Sequence, residues 1–165
     1  VKTDSVFFKI FQELPGVLFE RLGESFELGG CYEFQSIEVK QTAFRIDGVF
    51  LPKPEATNQT VYFVEVQYQP DEFLYDRMFA EIGMYLDQNR RVLDWCAITI
   101  FPRRSLEPKN QYRHRSFVQG DQFRTIFLED LLNVPTELIG IQIMQLIAAK
   151  PKITQRYLAQ LASQL

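Results

Sequence analysis

Hydrophobic residues recur at helical spacing over residues 4–22, where Val6, Ile10, Leu14, Val17 and Leu18 mark one side and Asp4 or Ser5 offers an N-cap. Pro15 inside this stretch predicts a kink or a division into two short pieces. The period then shortens. Residues 32–41 and 43–51 are β-rich, and VYFVEVQY at 61–68 is the strongest strand signal in the chain. A polar loop with two prolines, PKPEATNQT, joins the second run to the third as a long hairpin connection. Helical period returns over 71–89, with Leu74, Met78, Glu81, Ile82 and Tyr85 on one side and Asp71 placed to cap the start after Pro70. DWCAITIF at 94–101 is a nearly continuous apolar strand of the buried kind, closed by Pro102. Residues 102–122 are polar and irregular, 123–128 reads as a further strand, and 130–148 and 153–164 read as two closing helices with wide apolar stripes. The order α-β-β-β-α-β, followed by extra elements, predicts an α/β sandwich around a mixed sheet. An antiparallel meander is joined there to a strand reached through a helical crossover.

Composition narrows the chemistry. The chain has 165 residues, 46% of them hydrophobic, including 15 Phe, 7 Tyr and 1 Trp, which is ample apolar surface for a folded domain. With a single histidine, His114, and two widely spaced cysteines, Cys31 and Cys96, it lacks the residues for a four-ligand Cys/His zinc site or a disulfide framework. Any catalysis would fall to carboxylates. No apolar run approaches the roughly 20 residues needed to span a bilayer. The N-terminal VKTDSVFFKIFQ has no uninterrupted apolar core of a signal peptide, so the expectation is a cytoplasmic protein without a membrane partner.

The net charge of −3 announces no global positive field, but it conceals an asymmetry. Residues 101–124 carry a net charge of +4 against −7 for the remainder. Arg103, Arg104, Arg113 and Arg115 stand there with Lys109 and Arg124, interleaved with Tyr112, His114 and Phe117, as in a groove that grips phosphates and bases. Charged loops are ordinarily only solvated, and His114 fits an exposed or packing role better than that of a catalytic base.

The informative constellation is Asp47 in RIDGVF with Glu65 and Gln67 in FVEVQ. Strand alternation puts Glu65 and Gln67 on one face and Val64 and Val66 on the other, and pairing of the two strands can set Asp47 across from Glu65. Two such carboxylates form a hard-oxygen site suited to Mg²⁺, which polarises a phosphodiester and activates water without a histidine. An acid on a strand is more ordinarily polar-out against apolar-in. Two features count against that here: residues 61–68 resemble a central strand with both faces covered, and Asp47 lies in an apolar segment followed by Gly48, which allows a bend or close approach. Arg77 on the crossover helix suits either a grip on a carboxylate or phosphate through its fork, or a helical pair with Glu81 or a neighbouring Asp.

The succession TDSVFFKIFQ, RIDGVFLP, a loop, YFVEVQYQ and a helix bearing Arg77 and Tyr85 resembles the recombination-promoting nuclease / putative transposase group of the PD-(D/E)xK nuclease superfamily. The resemblance covers roughly residues 2–101. It implies a restriction-endonuclease-like core and Mg²⁺-dependent DNA endonuclease activity, with Mn²⁺ able to substitute and a link to transposition or recombination. Carried over, it makes Asp47 and Glu65 metal ligands, lets the Val66 carbonyl supply another, and puts Gln67 where the wider superfamily has lysine. A neutral Gln donates and accepts hydrogen bonds but cannot offset developing charge, which points to a rival: a weak or inactive DNA- or protein-binding module of a mobile-element system. The resemblance also allows an acid from the first helix, Glu13 or Glu20, although Glu20 near a helix end is ordinarily solvated. The expected organisation is a nuclease-like domain over residues 1–130 and a helical extension over 131–165 packing on it. Core packing accounts for the closing stripes, with a DNA-cleaving homodimer as the second reading.

Overall fold

The computed structural model describes residues 4–38 and 45–149. The first helical stretch is two helices, α1 (Asp4–Glu13) and α2 (Gly16–Arg21). Leu14 still donates its N–H to the Ile10 carbonyl at 2.6 Å, but Pro15 has no N–H to continue the ladder and the chain turns there. The bend serves packing. Phe11 and Phe19, one from each helix, both meet Phe50 on the sheet, with ring centroids 5.6 and 5.5 Å apart in edge contacts.

Five strands follow: β1 (Tyr32–Glu38), β2 (Arg45–Pro52), β3 (Val61–Val66), β4 (Trp95–Phe101) and β5 (Phe123–Phe127). They lie side by side in chain order. β1, β2 and β3 form an antiparallel meander, while β4 runs parallel to β3 and β5 parallel to β4. A parallel neighbour cannot be reached by a tight turn, and α3 (Leu74–Gln88) is the crossover between β3 and β4.

Side-chain alternation explains why both faces are covered. Tyr62 and Val64 join Phe7, Phe11 and Phe19 of the first two helices in one apolar layer, with Met144 and Ile147 of α5 (Ile139–Ala149). Val61 and Phe63 point the other way, into a second layer with Leu74, Met78, Ile82 and Tyr85 of α3. β3 is thus the third of five strands, buried on both sides from Val61 to Val64. The chain is a mixed α/β structure with a five-stranded mixed sheet flanked by helices.

Two boundaries differ from the periodicity. β3 stops at Val66, so Gln67 lies just past the strand, although its N–H still bonds the Ile100 carbonyl at 2.9 Å. The helix expected over 130–148 is replaced by a 3-10 turn at Leu128–Leu131, a loop holding Pro135, and α5. A proline there removes a helical donor, so the helix begins only beyond it. Within α5, Ile141, Met144 and Ile147 are buried, whereas Leu138 before it and Ile139 and Leu146 are exposed. The helix expected over 153–164 lies outside the described residues. The segment 102–122 holds two 3-10 turns and the four-residue α4 (Arg115–Val118). Among the described residues no helix is long and apolar enough to cross a membrane.

Candidate functional site

Glu65 is the first polar residue on the α3 side of β3, following Val61 and Phe63 on that face. The parallel register carries the change of character sideways: Glu65 lies beside Thr99 of β4, and Thr99 beside Thr125 of β5. The two threonine hydroxyls share a hydrogen bond of 3.3 Å, and Thr99 is fully buried. Tyr75 of α3 donates its hydroxyl to Glu107 at 3.0 Å, and burial, reinforced by the Glu107 charge, raises its phenol above the usual range. A polar row thus crosses the sheet where the parallel strands end and α3 begins, the end at which open α/β sheets hold their ligands.

Glu65 is 17% exposed and pairs with Arg77, whose Nη2 lies 3.4 Å from Oε1. The other arm of the same guanidinium, Nη1, donates to Asp71 Oδ2 at 2.6 Å. Burial works to lower the Arg77 pKa, but the hydrogen bond and charge of Asp71, with the charges of Glu65 and Glu81, outweigh it and leave the pKa raised. Asp71 also accepts the Phe73 N–H through Oδ1 at 3.0 Å, which fixes the turn into α3.

Asp47 stands in β2 at an irregularity that its neighbours define. Val49 pairs with Gln35 and Ile46 with Ile37, so Asp47 and Gly48 together oppose the single residue Ser36 in a β-bulge. On its other edge β2 pairs with β3 from Phe50–Tyr62 to Gly48–Val64. One further step in that register is Asp47 against Glu65. The Asp47 side chain lies outside the described residues. A Cβ on Gly48 would lie 2.8 Å from the Phe34 ring and 3.1 Å from the Val64 carbonyl, so glycine is what lets the bulged strand approach β3.

Backbone alternation supplies one more oxygen. Because the Gln67 N–H is directed at β4, the carbonyl of Val66, the residue before it, faces the opposite edge, toward β2 beyond the Gly48–Val64 pair. Glu65 and the Val66 carbonyl place oxygen donors at this strand end, the hard kind of ligand that a divalent cation such as Mg²⁺ takes. Among the described residues no three or more His, Cys, Asp or Glu side chains cluster as a metal site by themselves. Gln67 turns its side chain away, donating Nε2 to the Gln69 carbonyl at 2.6 Å.

The basic segment is brought along the first turns of α3, beside Arg77. Glu72 accepts the Lys109 N–H at 3.3 Å, and Asp76 holds both Arg113 at 2.9 Å and His114 at 3.1 Å. His114 lies against Phe79, with centroids 5.2 Å apart. Arg115 covers the Tyr112 ring at 4.1 Å, and Arg104 covers Phe127 at 4.3 Å while pairing with Asp130. Arg103 is exposed just ahead of the 3-10 turn at Arg104–Leu106. Glu20 is engaged elsewhere: its carboxylate accepts the Gly140 N–H at the start of α5, and Glu13 is exposed at the end of α1. A cavity of about 680 Å³ lined by Val61, Tyr85, Arg90 and Leu93 opens at the other end of β3 and α3, away from Glu65.

Periodicity did not reveal Asp71, Thr99, Thr125, Tyr75 or Glu107 as neighbours of this site. Thr99 carried a signal, as the one hydroxyl in the apolar run CAITIF; the others depend on register and on a turn.

A family model described as "Protein of unknown function (DUF2887)" matches residues 3–165. No curated protein and no solved structure gives a significant match.

Proposed function

The chain belongs to the DUF2887 family, and from the site this scaffold carries we propose that it is a divalent-cation-dependent DNA endonuclease of the PD-(D/E)xK type. One observation carries the reading: Glu65 and the Val66 carbonyl stand at the end of β3 one register step from the bulged Asp47, where β2 and β3 cease to pair. The α-β-β-β-α-β order, with an antiparallel meander and a parallel crossover strand, suits a restriction-endonuclease-like core and supports the same conclusion.

In this proposal Asp47, Glu65 and Val66 hold Mg²⁺, or Mn²⁺ in its place. When bound, the ion polarises the phosphodiester and lowers the pKa of an attacking water. The chain's own residues do the rest. Gln67, released from the Gln69 carbonyl, orients water or substrate by hydrogen bonding. Arg77 stabilises the Glu65 carboxylate through their 3.4 Å contact. Arg113 beside α3 and Arg115, with Arg103 and Arg104 after β4, attract the DNA backbone without selecting a sequence. Activity of this kind fits a role in transposition or recombination.

A second reading, a weak or inactive binding module, is favoured by the engagement of Gln67 with Gln69 rather than with the site. The two separate in a plasmid assay. Supercoiled DNA incubated with the protein and Mg²⁺ or Mn²⁺ is expected to be nicked, with at least about a hundredfold loss in Asp47→Ala. Equal nicking by that variant, or none by the parent with either ion, contradicts the enzymatic proposal; DNA binding without nicking favours the second.

A further inference from the structure

We infer that Asp71 is a positioning residue for the cation site: through Arg77 it governs how readily Glu65 accepts a divalent ion. The inference rests on the reading of Asp47 and Glu65 as cation ligands. Asp71 belongs to neither β3 nor α3; it stands in the turn between them, and its two oxygens do separate work. Oδ1 accepts the Phe73 N–H and fixes the turn, while Oδ2 takes Arg77 Nη1 at 2.6 Å. Arg77 Nη2 reaches Glu65 only at 3.4 Å, the long end of the hydrogen-bond range. One rigid guanidinium is therefore shared unequally between two carboxylates, and Asp71 has the shorter contact.

That asymmetry has a consequence for binding. Arg77 and a divalent cation carry the same sign of charge and compete for Glu65, so each weakens the other's hold by the same factor. The Glu65, Asp71 and Arg77 side chains are 17%, 23% and 38% exposed, so water screens the competition only in part. Without a cation, Arg77 keeps the Glu65 charge compensated. With one, Arg77 must withdraw, and Asp71 is the carboxylate on which it remains. Glu81, buried one turn further along α3, adds negative charge near the same guanidinium. Deleting the Asp71 charge leaves Arg77 committed to Glu65, and deleting Arg77 removes the competitor.

The test is Mn²⁺ binding to the full chain, followed by the loss of the free-ion electron paramagnetic resonance signal, with the melting temperature of each variant measured alongside. Arg77→Gln is expected to bind Mn²⁺ on the order of tenfold more tightly, and Asp71→Asn roughly three- to tenfold more weakly. Asp71→Asn introduced into Arg77→Gln is expected to change affinity by less than about twofold, because the path from Asp71 to Glu65 is gone. Asp71→Ser also keeps an acceptor for the Phe73 N–H while removing the charge, and it stands in should the Asn variant fail to fold. Equal weakening in both backgrounds overturns the inference, since Asp71 would then act by its own charge; so does an unchanged affinity in Arg77→Gln. In the unaltered protein, a Mn²⁺-bound structure is expected to show Arg77 on Asp71 and withdrawn from Glu65; Arg77 still paired with Glu65 overturns it as well. Mn²⁺ binding that is indifferent to Glu65→Gln refutes the cation site itself, a result distinct from failure of the Asp71–Arg77 coupling.

Discussion

Gly48 and Cys96 show how single positions constrain the sheet. A side chain on Gly48 meets the Phe34 ring at 2.8 Å and the fixed Val64 carbonyl at 3.1 Å, so Gly48→Ala must open the β1–β2–β3 packing beside the bulge. Destabilisation of about 1–3 kcal/mol in a denaturant titration is expected, the usual cost of overpacking a filled core. Cys96 lies within the layer beneath α1 and α2, and burial pushes its thiol up to about 11. Two outcomes follow. At pH 8 the thiolate population is roughly a hundredth of that of an unshifted thiol, so an alkylating reagent should leave Cys96 unmodified in the native protein and label it on unfolding. The sign for stability is equally definite. The unfolded chain ionises first as pH rises through the ordinary thiol range near 9, so the native state loses stability between there and about 11. Below that range the contribution is intact; unchanged stability across the interval would contradict the burial argument.

At the scale of elements, the clearest device joins α2 to α5. Glu20 near the end of α2 accepts the Gly140 N–H in the first turn of α5, where a helix has unsatisfied donors and favours negative charge. Glu20→Gln should cost about 0.3–1 kcal/mol and raise hydrogen exchange in Ile139–Ala149 more than in the sheet. That role was illegible in the sequence, because Glu20 and Gly140 are 120 positions apart. Elements with strong local periodicity were legible: the β1–β3 meander, the α3 crossover and the buried β4 all follow from spacing alone. The break at Pro15 was visible as a missing donor. The late start of α5 was not, because Leu131, Leu132, Val134 and Leu138 continue an apolar pattern that Pro135 interrupts. The site divides the same way. Strand alternation pointed to Glu65, and the apolar setting before Gly48 to Asp47, whose side chain lies outside the described residues. The Asp71–Arg77–Glu65 chain was not, because it spans a turn whose geometry no period encodes, and the Thr99–Thr125 row needs the parallel register.

Across the whole molecule, acidic and basic segments are folded onto one another. Asp76 of α3 pairs with Arg113 and lies against His114, and Asp130 pairs with Arg104, so part of the net +4 of residues 101–124 is offset locally rather than projected as a uniform patch. What remains accessible is a set of arginines around the end of the sheet at which Glu65 stands. This arrangement concentrates the proposal on one place: two carboxylates and a carbonyl at the parting of β2 and β3, with cations beside them to receive a phosphate backbone. The account is therefore tested most directly by the anomalous scattering of crystals soaked in Mn²⁺. It predicts a single strong peak with the Asp47 and Glu65 carboxylates and the Val66 carbonyl as ligands, at metal–oxygen distances of roughly 2.0–2.3 Å. A structure in which the Asp47 and Glu65 carboxylates diverge and no peak lies between them would contradict it.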